Sequence, residues 1–189
     1  MGRGDSLTAA SQADYSETLE RYNRTAVVLH WVIAVLILVQ VGLGWYMADL
    51  PKGPERTYFI GLHKSLGIST AVLILFRVVW RLIHAPPPLP DWLPRWQARA
   101  AAINHYLLYV CMIVMPLSGY LSASFTKYPM KFWGMPFFKA GWESDAINAV
   151  FNGLHKGTSW LLVALLVLHI GAGLKHLVQG DGIFRRILP

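Results

Sequence analysis

Two histidines in the last apolar run of the chain have the type and spacing to do chemistry together. His155 and His169 are fourteen residues apart, which on an α-helix is a rise of about 21 Å and a rotation that returns to within about 40° of the starting face. One helix would therefore present two imidazoles on one side, at opposite depths of a membrane whose hydrocarbon core is about 30 Å thick. Ionisable side chains at such depths are costly and indicate a function.

The composition indicates an integral membrane protein. Of the 189 residues, 54% are hydrophobic and 14% are charged, whereas soluble domains average about 25% charged residues. The net charge of +7 is typical of basic residues that flank membrane helices, so nucleic acid is not an expected partner. Four apolar runs predict an all-α, four-helix membrane bundle with spans at about residues 25–48, 58–83, 101–124 and 147–178.

The segments outside these spans set the domain organisation. Residues 1–20 are expected to form a polar leader without the apolar stretch of a signal peptide, and residues 21–189 the membrane domain.

The proline-rich stretch 85–94 cannot be a regular helix. We expect Pro116 to kink the third span and the aromatic, basic segment 125–146 to lie on the membrane surface. Lysines and arginines, including Arg185 and Arg186, are in excess on the side of the termini, which predicts cytoplasmic termini.

Four of the seven histidines form two pairs at matching depths in this topology. His30 and His169, the inner pair, lie toward the cytoplasmic side. His63 and His155, the outer pair, lie toward the outer side. Two imidazoles that face each other across a bundle are the axial ligands that a low-spin haem iron requires. With one cysteine and no C-x-x-C-H motif, any haem would be held by coordination and packing rather than by covalent attachment.

Other residues fit the same scheme by their spacing. Arg77 follows His63 by fourteen residues, which places a cation for haem propionates at the depth of the inner pair. Gly44 and Gly119 lie at the depth of the outer pair, where a flat macrocycle can approach a backbone without side chains. His105, near the inner start of the third span, is a candidate for a propionate contact, a replacement ligand or simple packing.

The residues alone leave a simpler interpretation open. A histidine in a membrane helix often only hydrogen-bonds within the core, a glycine often only permits close helix packing, and an arginine near a helix end often reaches for the interface. His84 and His176 are expected at the interface, and the outer lysines are compatible with a solvated face.

The chain resembles the bacterial cytochrome b561 proteins, a family of four-helix inner-membrane dihaem cytochromes. The resemblance covers residues 20–189, and the matching segments keep the order of the family: RYNRTAVVLHW (21–31), LHKSLG (62–67), RVVWR (77–81), NHYLLYVCMIVMPLSGY (104–120), LH (154–155) and LHIGAGLKHL (168–177), running to the C-terminal RILP.

The resemblance implies two non-covalent haem b groups, one held by His30 and His169 and the other by His63 and His155. It also implies electron transfer between a donor on the periplasmic side and membrane quinone, with ubiquinone as the expected substrate. One branch of the family resembles a superoxide oxidase, so superoxide or a redox protein is the expected donor. The expected location is the bacterial inner membrane, among its lipids.

Two other functions stay open on the sequence. The family resembles, at larger distance, the cytochrome b subunits that link a dehydrogenase or hydrogenase to quinone. An oxidoreductase in its own right and a respiratory electron-transfer anchor are therefore both open. A haem-free transporter or assembly factor would use the histidines for protons or helix contacts. The sequence also leaves open whether the chain forms a homodimer.

Overall fold

The computed structural model describes residues 19–188, so almost all of the predicted leader lies outside the described residues. Within that range, four helices are long and apolar enough to cross a membrane, with mean hydropathies of 1.6 to 2.5 over their most apolar windows. They are α1 (Arg24–Asp49), α2 (Pro54–Ile83), α3 (Arg95–Ser124) and α4 (Asp145–Gln179). The predicted all-α, four-span architecture is confirmed.

Local sequence signals mark the ends of the helices. The Asn23 side chain accepts a hydrogen bond from the Ala26 backbone N–H at 2.8 Å and caps α1. Ser144 caps α4 in the same way, and Gly180 ends that helix with a left-handed φ of 65°. Pro116 lies inside α3, and the helix continues on both sides of it.

The bundle is built from two helix hairpins. Helix α1 packs on α2 and α3 packs on α4, whereas the backbone of α4 hardly approaches those of α1 and α2. A layer of buried apolar side chains fills the middle of the bundle. It consists of Ile33, Ile37, Ile74, Leu108, Cys111, Leu162 and Leu165. Along α4 this layer falls between His155 and His169, since Leu162 and Leu165 lie between the two histidines.

The connections hold the ends of the bundle. Residues 85–94 are irregular, as predicted. The segment between α3 and α4 contains a short antiparallel pair, β1 (Lys131–Phe132) and β2 (Met135–Pro136), which the sequence did not predict. The backbone N–H of Trp133, which lies in its turn, donates to Ser65 Oγ at 3.0 Å and thereby fixes this hairpin to α2.

The C-terminal segment ties the inner end of the bundle together. Arg186, grouped in the sequence with the basic flanking residues, is only 4% exposed. Its guanidinium donates to the backbone carbonyls of Glu20, Pro87 and Pro88 at 2.8 to 2.9 Å. The Tyr22 N–H donates to the Arg186 carbonyl at 3.1 Å. Both ends of the described chain therefore lie at the same end of the bundle.

Candidate cofactor site

The inner histidines meet across the gap between α1 and α4. The ring centres of His30 and His169 lie 6.0 Å apart, with an angle of 61° between the ring planes. The His105 ring, from α3, lies 5.1 Å from that of His169. Three helices therefore converge on one cluster of imidazoles, and the structure brings together the inner pair and His105 as the sequence placed them.

The outer histidines meet across the gap between α2 and α4. The ring centres of His63 and His155 lie 6.2 Å apart, with their planes at 90°. Because His155 and His169 are on one helix, the two pairs are about 21 Å apart along its axis. The remaining histidines join neither pair: His84 stacks on Trp80 at 4.0 Å, and His176 Nδ1 lies 2.5 Å from Asp181 Oδ2.

The spacing of each pair suits one metal ion between the rings. An imidazole nitrogen binds a transition metal at about 2 Å, and the ring centre lies about 1 Å behind it, so two axial imidazoles have centres roughly 6 Å apart. The observed 6.0 and 6.2 Å agree with this value. Residues 19–188 contain no group of three or more His, Cys, Asp or Glu placed to hold a bare ion. The pairs therefore suit an iron whose other four ligands come from a macrocycle.

Hydrogen bonds at the rings determine which nitrogen is available. His155 Nδ1 lies 2.9 Å from the Met115 carbonyl, which accepts only if Nδ1 carries the proton. The lone pair of Nε2 then points away from this contact and is free to bind a metal. The sequence did not identify Met115, because a backbone carbonyl has no residue-type signal.

Arg77 lies beside the inner pair. Its Nη2 is 3.3 Å from His30 Nδ1, and its Nη1 donates to the Ala26 carbonyl at 2.9 Å. The described part of the chain contains one salt bridge, between His176 and Asp181, so no carboxylate there neutralises Arg77. A half-buried cation without a carboxylate partner suits the acidic substituents of a haem.

The two glycines adjoin the outer pair. A Cβ built on Gly44 would lie 3.6 Å from His63 Cε1, which is ordinary contact. A Cβ on Gly119 would lie 3.0 Å from His155 Cε1 and 3.1 Å from Nδ1, closer than side chains normally approach. Both glycines therefore sit at the predicted depth, and each gives room to a histidine ring.

One polar residue near the outer pair was missed. Gln40 donates from Nε2 to the His63 backbone carbonyl at 3.1 Å. The sequence does mark this residue, because Gln40 carries an amide in the apolar middle of the first span, where polar side chains usually have a role.

The site therefore defines an integral membrane protein with two facing imidazole pairs at different depths, the arrangement of a membrane cytochrome b. Residues 21–189 match the family model described as prokaryotic cytochrome b561, and the chain belongs to that family. It is 32% identical over 184 residues to cytochrome b561 homolog 2 of Escherichia coli (strain K12), covering 92% of this chain and 94% of the relative. Identity to cytochrome b561 homolog 1 of the same organism is 25% over 178 residues, covering 90% and 98%.

A third relative is more distant. The chain is 23% identical over 103 residues to the probable superoxide oxidase CybB of Yersinia pestis, covering 53% of this chain and 56% of that protein. Membership of the family makes the chain a haem b-binding protein of transmembrane electron transport. The haem-free alternative is thereby set aside.

Proposed function

We propose that the chain holds two haem b groups, one between His30 and His169 and one between His63 and His155. The observation that carries this proposal is the pair of ring spacings, 6.0 and 6.2 Å, at two depths of one bundle. When bound in this way, haem b supplies a one-electron iron couple with no open coordination position, which favours electron transfer over oxygen binding.

The other predicted residues have positioning roles in this proposal. Arg77 is half-buried beside His30 and lacks a carboxylate partner within residues 19–188, so it would bind a propionate of the inner haem. Its Nη2 would then turn from His30 Nδ1 to the propionate, because Nδ1 carries the proton when Nε2 binds iron. His105 packs against the inner ligand His169. Gly44 and Gly119 leave room for the rings of the outer ligands His63 and His155.

We infer that the electron donor on the outer side is superoxide and that the acceptor is ubiquinone. Each superoxide loses one electron and leaves as oxygen, and two such electrons with two protons reduce one quinone to quinol. Five lysines lie in the outer parts of α2 and α4 and in the connection before α4, where they would attract an anion. They are Lys64, Lys127, Lys131, Lys139 and Lys156. The likeness to a probable superoxide oxidase supports the same donor.

This function places the protein in the bacterial inner membrane with the described ends of the chain on the cytoplasmic side. The excess of basic residues on the side of the chain ends supports this orientation. The outer pair and the lysines then face the periplasm, where superoxide would arrive.

The test is superoxide-driven formation of ubiquinol by the purified protein in liposomes. The wild-type protein should reduce quinone, and His63→Ala and His169→Ala should each abolish the reaction because each breaks the chain of electron transfer. His84→Ala is the matched control, a histidine that stacks on Trp80 and joins neither pair, and it should retain activity. Stable co-purification of a dehydrogenase, together with no superoxide-driven activity, would favour the anchor function instead.

The role of the lysines is tested separately. Lys127, Lys131 and Lys156 are exposed, so replacing all three with glutamine should lower the rate with superoxide at low ionic strength without unfolding the protein. The difference from wild type should shrink as salt screens the charges. An unchanged rate at low salt would rule out attraction by these lysines.

A further inference from the structure

The outer pair contains an imbalance in hydrogen bonding that the proposed function does not explain. His63 Nδ1 and Gln40 Oε1 are both buried, and neither has a hydrogen-bond partner within residues 19–188. Buried polar atoms are rarely left unpaired, because each lost partner costs about 1–3 kcal/mol. These two atoms belong to residues that already touch each other through a different hydrogen bond.

Gln40 is held against His63 by its other amide atom. Its Nε2 donates to the His63 backbone carbonyl at 3.1 Å, so the amide group lies beside the histidine and its oxygen is left free. Gly44, four residues further along α1, faces the same ring. One face of α1 therefore presents an amide and a bare backbone to His63.

The neighbouring helix leaves space for this amide. Gly67 lies one turn beyond His63 on α2, and a Cβ there would come within 2.9 Å of Gln40 Nε2. Any residue larger than glycine at this position would displace the end of the Gln40 side chain. The space that holds the amide therefore depends on Gly67.

The two unpaired atoms are complementary once His63 binds a metal. A neutral imidazole that coordinates through Nε2 carries its proton on Nδ1, which then requires an acceptor. Gln40 Oε1 is an acceptor. Asn104 Oδ1 is the other side-chain acceptor found buried and unpaired in the described range, but it lies next to His105 at the inner level.

We propose that Gln40 is the positioning residue of His63 and that its Oε1 accepts the Nδ1 proton of the imidazole when the ring holds haem. The inference rests on the proposed role of His63 as a haem ligand. A hydrogen bond from Nδ1 makes an imidazole a stronger electron donor, which stabilises the oxidised iron and lowers the reduction potential. On the partner ligand His155, the Met115 carbonyl has the same role, at 2.9 Å.

The test is a redox titration of the purified holoprotein with three variants. The step that disappears in His63→Ala identifies the outer haem. Gln40→Leu removes the acceptor and should raise the potential of that step, whereas Gln40→Glu supplies a stronger acceptor and should lower it. Gly67→Ala should shift the step in the same direction as Gln40→Leu, and by less, because the amide is displaced rather than removed.

Two measurements separate this role from a merely structural one. The low-temperature electron paramagnetic resonance signal of the oxidised outer haem should change in the Gln40 variants, while the signal of the inner haem stays constant. The matched control is Thr70→Val, which removes a buried hydroxyl that bonds to the Leu66 carbonyl of its own helix at 2.7 Å. This variant should leave both potentials unchanged.

The outcomes distinguish the two proposals. If Gln40→Leu and Gln40→Glu keep two haems and leave the outer potential unchanged, or shift it in the same direction, the role of Gln40 is refuted and the haem sites stand. If wild-type protein contains fewer than two haems, or if His63→Ala loses none, the proposed ligands are wrong and the inference falls with them.

Discussion

Replacing Arg77 with glutamine should lower the reduction potential of the inner haem. The guanidinium Nη2 lies 3.3 Å from His30 Nδ1, and the centres of the His30 and His169 rings are 6.0 Å apart. The charge is therefore within about 7 Å of the midpoint between the rings. Reduction adds an electron at that point, so a nearby cation favours the reduced state, and its removal makes reduction harder.

Coulomb's law bounds the size of the effect. At 7 Å two unit charges interact by about 0.6 kcal/mol in water and by about 2.4 kcal/mol at an effective dielectric constant of 20. For a one-electron couple these energies correspond to about 25 and about 100 mV. Arg77 is half-buried, so we expect a decrease between these limits.

The assay is a redox titration followed by the optical absorption of the haems. Arg77→Lys keeps the charge and should retain most of the wild-type potential. Arg81→Gln is the matched control, since Arg81 is exposed and lies over the Tyr109 ring at 5.6 Å. An inner potential that stays constant or rises in Arg77→Gln would refute the electrostatic reasoning, and so would an equal decrease in Arg81→Gln.

Three further predictions follow from the contacts. Gly119→Ala should lead to loss of the outer haem, because its new methyl group would lie 3.0 Å from His155 Cε1. A lower haem-to-protein ratio would show this loss. Arg186→Gln should destabilise the protein by about 2–4 kcal/mol, since it removes hydrogen bonds from a buried guanidinium to three backbone carbonyls, and thermal unfolding in detergent would show a lower Tm. With Cys111 replaced by alanine, a cysteine at Lys127 in intact cells should react with a membrane-impermeant maleimide, and one at Arg185 should not.

Each of these predictions has a control and a contrary result. Gly153→Ala changes a glycine of α4 with no atom within 4 Å of the new Cβ and should keep both haems. Arg95→Gln, at an exposed arginine, should leave the Tm unchanged. Labelling at Arg185 but not at Lys127 would reverse the proposed orientation.

The helices and the histidine pairs were predictable because both depend on simple periodicity. Hydropathy located four spans, and the helical repeat placed His155 and His169 on one face at two depths. Pairing each with His30 or His63 then required only the up-and-down order of the spans. The structure brings these four rings together in the same two pairs.

The surroundings of the rings were less predictable because they depend on helix rotation and on backbone atoms. Nothing in the residue types indicates that the Met115 carbonyl accepts from His155, or that Arg186 is buried among three carbonyls. The hairpin around Trp133 was missed because two-residue strands leave no alternating pattern. Gln40 had a signal of its own, yet its contact with His63 requires the relative register of α1 and α2.

The central claim is that each facing pair of imidazoles holds one haem, and the haem-to-protein ratio tests it most directly. A pyridine haemochrome assay on protein purified with ample haem supply should give two haems b per chain for wild type and one each for His63→Ala and His169→Ala. A wild-type ratio of one, or two haems retained in either variant, would contradict the account.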